Sequence, residues 1–448
     1  MQRVGGPCFV SLPPTRCVKI SMIIMKEQKK IDLLITNAAQ VLTCMPSPGN
    51  AIGCIENGAV AIAGERIVAV GPSREVFSNV DASGAKILDA AGKVVAPGFV
   101  DCHTHLVFGG SRVLEYAKRL THDLDDVKEE LRKIGIQETG ILATVKMTRS
   151  ESVEKLTNSA SQRIRQMLQH GTTTVESKSG YGLSLVEELK ILDVNRRLQT
   201  NQPVDVLSTF LGAHAFPPDV KQGGMTRERY MDIIINEMIP HVAEQCLAEF
   251  CDVFCDKDYF SVNEARRILE AGRIAGLKPK IHADEYKAIG ASELAAELHA
   301  VSADHLNHTK CATLKRLKDA KVVGVVMPML DFAVRHDHPF DARAMLDIGM
   351  DVALATDLCP GCWVESMQLV MQFACRLYRF SPEEALCAST VGGARALGLD
   401  DRGTLTVGNM ADIQIWNIPT FEDLVYRLGN NAVEVVIKRG RVVVPAQL

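Results

Sequence analysis

What most restricts the fold of this chain is an alternation between residues 97 and 357, where eight short apolar runs are separated by longer, mostly helical stretches. The runs fall at 97–106, 172–179, 204–214, 249–256, 278–285, 300–306, 321–329 and 351–357. Segments 152–171, 185–199, 263–276 and 381–398 carry helical periodicity. The last opens "SPEEAL": a serine cap, a proline in the first turn and two glutamates near the positive helix end. Eight strands alternating with helices across about 300 residues is the count of a (β/α)8 TIM-like barrel. A doubly wound open sheet is the competing architecture, but it would usually carry a glycine-rich phosphate loop after its first strand. Here that position reads His103-Thr104-His105.

Both chain ends have another texture. "DLLITNAAQVL", "GAVAIAGERIVAVG" and "AKILDAAGKVVAPGFV" near the start, and "GTLTVGNMADIQIWN" and "AVEVVIKRGRVVV" near the end, are short β-rich runs broken by turn residues. They are expected to pair, so that 31–95 and 400–448 build one small composite β-sandwich around a barrel over 96–399. Residues 1–30 read as a poorly structured extension, with Met22 and Met25 as alternative starts. Two structural units suit 448 residues, because a single core rarely grows past roughly 300.

Charge narrows the function. A net charge of -4, with the signs interspersed, argues against nucleic-acid or membrane-surface binding driven by bulk charge. No apolar run approaches the roughly 18 residues that span a bilayer. Thirteen scattered cysteines, an odd number without a small-domain framework, read as reduced thiols in a cytoplasmic protein.

A barrel places its chemistry at the C-terminal strand ends. The first run ends in His103 and His105, the second leads into Glu176, Lys178 and Tyr181, and the third ends at His214. The fifth ends in "HADE" with His282 and Glu285, the sixth at His305, and the eighth at Asp357. Alternation along a strand turns His103 and His105 to one side, where they need a shared partner. Imidazoles and a carboxylate suit zinc or iron, and leave room for a reactive water of lowered pKa. The ligand set is His103, His105, His282 and Asp357. His305 is placed to orient water, move a proton or polarise a carbonyl, and Glu285 to meet substrate or proton.

Taken singly, each signal has an ordinary explanation. Tyr181 could be a turn residue beside two glycines, and Arg112 a solvated charge. "CDVFC" (251–255) reads as core packing, and "CPGC" (359–362) as a pocket-lining turn, because a zinc ribbon needs a second pair. The order His-x-His, "HADE", "DH", "TD" on one periodicity is what the single readings do not explain.

These residues, in this order, resemble the amidohydrolase superfamily of metal-dependent barrels. Over residues 30–445 the chain is more closely similar to the imidazolonepropionases, through "PGFVDCHTHLVFGGSR", "VESKSGYGL", "TFLGAHAFP", "IHADE", "SADHL" and "TVGGARALGLDDRGTLTVGNMADIQIW". The resemblance implies hydrolysis of the cyclic amide of 4-imidazolone-5-propanoate to N-formimino-L-glutamate in histidine degradation, by a metal-bound hydroxide. It implies one divalent ion, zinc or iron, a homodimer, and a small substrate bearing a carboxylate. It assigns Arg112, Tyr181, His214 and Glu285 to substrate, with Cys359, Gly361 and Cys362 in the loop that lines it. Glu285, His305 and Asp357 become the catalytic groups.

Two departures stand out. Relatives read Asp-Phe-Asn-Pro-Gly-Ser after the last ligand, where this chain reads Asp357-Leu358-Cys359-Pro360-Gly361-Cys362, and thiols are weak hydrogen-bonding replacements. A tyrosine that relatives carry downstream of the Arg112 position is missing from "LTHDLDD" (120–126), and their glycine-rich loop survives only as "ETGILATV" (138–145). An altered substrate is one consequence. A deaminase or cyclic amidase acting on another heterocycle stays open, since deaminases also use a glutamate three residues after the third histidine. A metal-free scaffold on the same fold is the non-enzyme alternative.

Overall fold

The computed structural model describes residues 28–336 and 341–445. Most of the extension expected over 1–30, with Met22 and Met25, lies outside the described residues.

Eight parallel strands form the barrel: β1 (Phe99–Asp101), β2 (Thr172–Lys178), β3 (Asp205–Ala213), β4 (Phe250–Cys255), β5 (Lys278–Ala283), β6 (Ser302–His305), β7 (Val323–Val326) and β8 (Val352–Leu354). Each pairs with its neighbours in sequence order, which is what crossover helices between parallel strands produce. Every expected run therefore contains one strand. β1 is shorter than its run of 97–106 because its second half leaves the regular ladder to close the barrel. His105 N–H donates to Leu358 O at 2.9 Å and Asp357 N–H to His103 O at 3.1 Å, around a parallel bridge between Thr104 and Leu358. Asp101 tightens the seam by accepting from the Thr356 backbone at 3.1 Å and its hydroxyl at 2.6 Å. Closure and two ligand candidates thus share one stretch of chain.

The helices start where the sequence signals them. Ser152 caps Val153–Gln169, and Ser261 with Glu264 forms a capping box on Val262–Ile274. The segment expected as one helix over 381–398 begins with a Ser381–Glu384 capping box but is interrupted by a π turn at Ala388–Gly392. A Cβ on Gly392 would stand 2.3 Å from Val352 O, and one on Gly393 2.2 Å from Val100 O. The two glycines let this helix lie directly on β8 and β1, the strands at the seam.

Strands from both chain ends join in a second sheet. Val94–Pro97 pairs antiparallel with Ile413–Trp416 and parallel with Leu33–Leu42, linking five N-terminal strands to three C-terminal ones. One face buries Leu33, Ile35, Val60, Ile62, Ile413, Ile415 and Ile437 as a core separate from the barrel's. Asp205, at the start of β3, ties sheet to barrel. It lies 2.8 Å from Lys438 Nζ, 2.9 Å from Arg439 Nη2 and 2.5 Å from Arg402 Nη1.

Candidate active site

The four ligand candidates arrive from β1, β5 and β8 at one point at the C-terminal mouth. Ring nitrogens of His103, His105 and His282 lie within 4.8 Å of one another, and Asp357 Oδ1 is 3.6 Å from Nε2 of both His103 and His105. Bonds of about 2.1 Å to a tetrahedral ion put donor atoms roughly 3.4 Å apart, so this spacing fits one metal. His103 Nε2, His282 Nε2 and Asp357 Oδ1 are buried without a hydrogen-bond partner. Leaving such atoms unmatched costs on the order of 1–3 kcal/mol each, unless a ligand satisfies them.

Their outer partners set the protonation that a ligand needs. Asp304 accepts from His103 Nδ1 at 2.6 Å, so Nε2 presents its lone pair to the centre. Asp252 stands 3.0 Å from His282 Nδ1. Burial, then the Lys178 charge, pushes the His103 pKa well down, and burial and His214 do the same for His105. Both rings stay neutral. Burial opposes ionisation of Asp252, yet His282 and Lys178 outweigh it and hold the carboxyl far below its usual range. Burial and then neighbouring Glu285 push Asp357 well up.

Around this centre lies a cavity of about 900 Å³ lined by His105, Arg112, Tyr181, His214, His282, Glu285, His305, Asp357, Cys359 and Gly361, among others. The structure therefore brings the ligand candidates and most of the expected substrate residues to one space. His103, which contacts the other ligand candidates from behind the lining, and Cys362 are not part of the wall. The buried Cys362 Sγ lies 3.7 Å from Thr356 O, away from the lining, so only Cys359 of the pair faces the cavity.

His214 is fixed by its neighbour. Gly180, at φ 105°, turns its carbonyl to accept from His214 Nδ1 at 3.1 Å, and a Cβ there would meet the ring at 2.9 Å. Burial lowers this histidine's pKa to about 3, so the neutral ring offers Nε2 as an acceptor. Burial likewise takes His305 down to about 4, with Nε2 3.7 Å from Glu285. Burial resists ionisation of Glu285, but His305 and His336 prevail and hold it at about 2.

Arg112 is no solvated charge. Its Nε and Nη2 donate to the two oxygens of Glu115 at 3.1 and 2.6 Å, while Nη1 stands 3.7 Å from where a Gly361 Cβ would be. Glu115 also accepts from Gly140 N–H at 3.0 Å, tying the arginine to the start of helix Gly140–Ser150. Beyond Arg112 the chain builds helix Leu124–Lys133, and Arg119, Lys128 and Arg132 line the cavity with Gln137–Leu142. This stretch thus brings three cations to the cavity wall.

Sequence reasoning missed the supporting groups: Asp252, Asp304 and Lys280 inside the strands, Glu115 beside Arg112, and the pair Asp331–His336 behind Glu285. His336 Nδ1 is 2.6 Å from Asp331 and its Nε2 3.4 Å from Glu285. The readable signal was a charged residue inside an otherwise apolar run, as in "FCDVFC" and "SADH".

The amidohydrolase family matches residues 86–140 and 135–444. The chain is 46% identical to the imidazolonepropionase of Geobacillus kaustophilus over 88% of this chain and 91% of the relative. It is 42% identical to that of Alkaliphilus metalliredigens over 92% and 98%. Its fold is similar to that of a zinc-containing adenosine deaminase from Xanthomonas campestris, with a TM-score of 0.67, 19% identity and 93% of each chain covered. It is also similar to a zinc complex of atrazine chlorohydrolase from Arthrobacter aurescens, with a TM-score of 0.70, 16% identity, and 92% and 95% covered.

Proposed function

Because the chain belongs to the amidohydrolase family and, within it, to the imidazolonepropionases, we propose that it hydrolyses 4-imidazolone-5-propanoate to N-formimino-L-glutamate in histidine degradation. Water adds to the ring carbonyl, the amide C–N bond breaks, the carbonyl carbon becomes a carboxylate, and the nitrogen leaves protonated as the formimino nitrogen. The observation that carries this reading is a single cavity lined both by His105, His282 and Asp357 of the His/Asp cluster and by Arg112.

His103, His105, His282 and Asp357 would hold one divalent ion, zinc or iron. Such an ion supplies Lewis acidity and a water acidified toward a pKa of about 7. The chain's own residues do the rest. Arg112, pre-aligned by Glu115, meets the propionate as a fixed fork, and Tyr181 supports it from the same wall. His214 Nε2 accepts from the ring, and Glu285, held ionised, accepts from a ring N–H. The neutral His305 donates to the carbonyl oxygen as it gains charge. Asp357, at the centre of the site, would take a proton from water and pass it to the departing nitrogen. Free thiols among the described cysteines suit a reducing, cytoplasmic setting.

The test follows 4-imidazolone-5-propanoate absorbance with metal-reconstituted enzyme while monitoring ammonia. Ring loss without ammonia is expected, and ammonia release from an aminated heterocycle without ring loss would replace this reading with a deaminase. In Arg112→Met, KM should rise steeply at unchanged metal content, and a normal KM would remove the arginine from the substrate site.

A further inference from the structure

Behind His103 and His282, on the side away from the cavity, the barrel interior holds five fully buried ionisable groups: Glu176, Lys178, Asp252, Lys280 and Asp304. Lys178 is their centre. Its Nζ is 2.8 Å from Asp252, 3.0 Å from Glu176 and 3.3 Å from Asp304, so each of its three N–H donors faces a carboxylate. Taken without the lysine, the surrounding atoms read as a cation site. His103, Glu176 and Asp304 offer ligand atoms within 4.8 Å of one another, and Glu176 Oε2 is buried with no hydrogen-bond partner.

We infer that the Lys178 ammonium is a built-in second cation: it fills the carboxylate pocket of Glu176, Asp252 and Asp304 and so limits the centre to one metal ion. The inference rests on the single-metal reading above and extends it to the residue that enforces it. Three carboxylates against two ammoniums leave the cluster one net negative charge. Removing Lys178 doubles that charge and leaves the Glu176, Asp252 and Asp304 carboxylates open to a divalent ion. The lysine also protects the first site. Asp304 Oδ2 and Asp252 Oδ2 each touch both Lys178 and a ligand histidine. A metal bound in place of the ammonium would draw off the carboxylates that orient His103 and His282.

Metal per chain is measured by mass spectrometry after loading with Zn2+ or Mn2+ and removing excess, with folding followed by circular dichroism. The wild type is expected to hold one equivalent, Lys178→Arg one, and Lys178→Met two. Lys280→Met, which deletes an ammonium beside Glu176 but leaves Lys178 in place, should hold one. Folded Lys178→Met with a single equivalent overturns the inference, and two in Lys280→Met would show that net charge, not the place of Lys178, decides the count. Should Lys178→Met not fold, wild type and Lys178→Arg under large Mn2+ excess decide: one equivalent in both sustains the inference, and a second buried one in either overturns it. A wild type with two metals sinks the single-metal reading as well. One equivalent in both wild type and Lys178→Met sinks only the role of Lys178, and neither count depends on which substrate is turned over.

Discussion

Two buried ion clusters occupy opposite ends of this barrel, and they differ in whether their polar atoms are satisfied. At the N-terminal end, Asp205 meets Arg402, Lys438 and Arg439, Lys438 also reaches Asp412 at 2.5 Å, and Arg402 reaches Thr174 at 3.1 Å. None of these atoms is an orphan among the described residues. At the C-terminal end the charges are just as deeply buried, yet Nε2 of His103, His282 and His305, Glu176 Oε2 and Asp357 Oδ1 all lack a partner. Full satisfaction marks a cluster that holds parts together, and leftover buried valence marks one built to hold something else.

The sharpest way to break this contrast is to remove a group at the unsatisfied end. Asp357→Asn keeps the shape but loses the charge and the proton carrier, so kcat should fall by up to about 10⁴-fold. Thermal stability of the metal-free protein should change little, because burial and Glu285 already push the Asp357 carboxyl toward its neutral form. A fall in stability as large as the fall in rate would mean that the site is structural after all.

The satisfied end should respond the other way. Asp205→Asn leaves Arg402, Lys438 and Arg439 short of a counter-charge between sheet and barrel, which costs about 3–5 kcal/mol. Denaturant midpoints should record that loss while kcat of the folded fraction stays put. A large kcat change at unchanged stability would couple the two ends and undo the distinction.

Between these extremes lie the groups that serve both ends' logic, satisfied themselves but tuned to unsatisfied neighbours. Asp304→Asn keeps a hydrogen-bonding group near His103 Nδ1 but removes its charge, so metal affinity should drop 10–100-fold. Competition with a chelator reads this directly, and unchanged affinity would make Asp304 part of the packing alone.

Much of the satisfied and unsatisfied pattern was beyond the reach of sequence, for reasons visible in single residues. His103, His105, His282 and Asp357 could be read because each sits at the end of an apolar run, where a barrel exposes side chains to its mouth. Asp252 and Asp304 sit inside β4 and β6, and their partners come from other strands, so no local pattern pairs them. Arg112 could be picked out, but its bidentate grip on Glu115 depends on the turn from loop to helix at Val113. The closing bonds of His105 and Asp357 shortened β1 for a reason only the closed ring reveals. Cys359 and Cys362 could be singled out together, but that the Cys362 thiol would turn to Thr356 O at 3.7 Å while Cys359 lines the cavity depends on a contact just past β8 that the "CPGC" spacing does not encode.

The smallest expected effect, and the finest probe of the contrast, lies at His336. This ring bridges Asp331 and Glu285 and belongs to the satisfied side through Nδ1 and to the active site through Nε2. Burial lowers its affinity for a proton, but Asp331 and Glu285 more than compensate, raising its pKa from 6.5 to about 9. A group whose folded pKa is raised stabilises the fold fully below the unfolded value and ceases to do so as pH climbs through the folded one. Stability should therefore decline between pH 6.5 and pH 9, by on the order of 1–2 kcal/mol. His336→Asn should flatten that slope and also shrink the acid limb in part, because His336 helps to hold Glu285 low. The acid limb belongs to groups such as Glu285, whose depressed pKa contributes above about 4.5 and is lost as pH falls toward about 2. A slope unchanged in His336→Asn would assign the alkaline loss elsewhere and leave the bridge without charge at neutral pH.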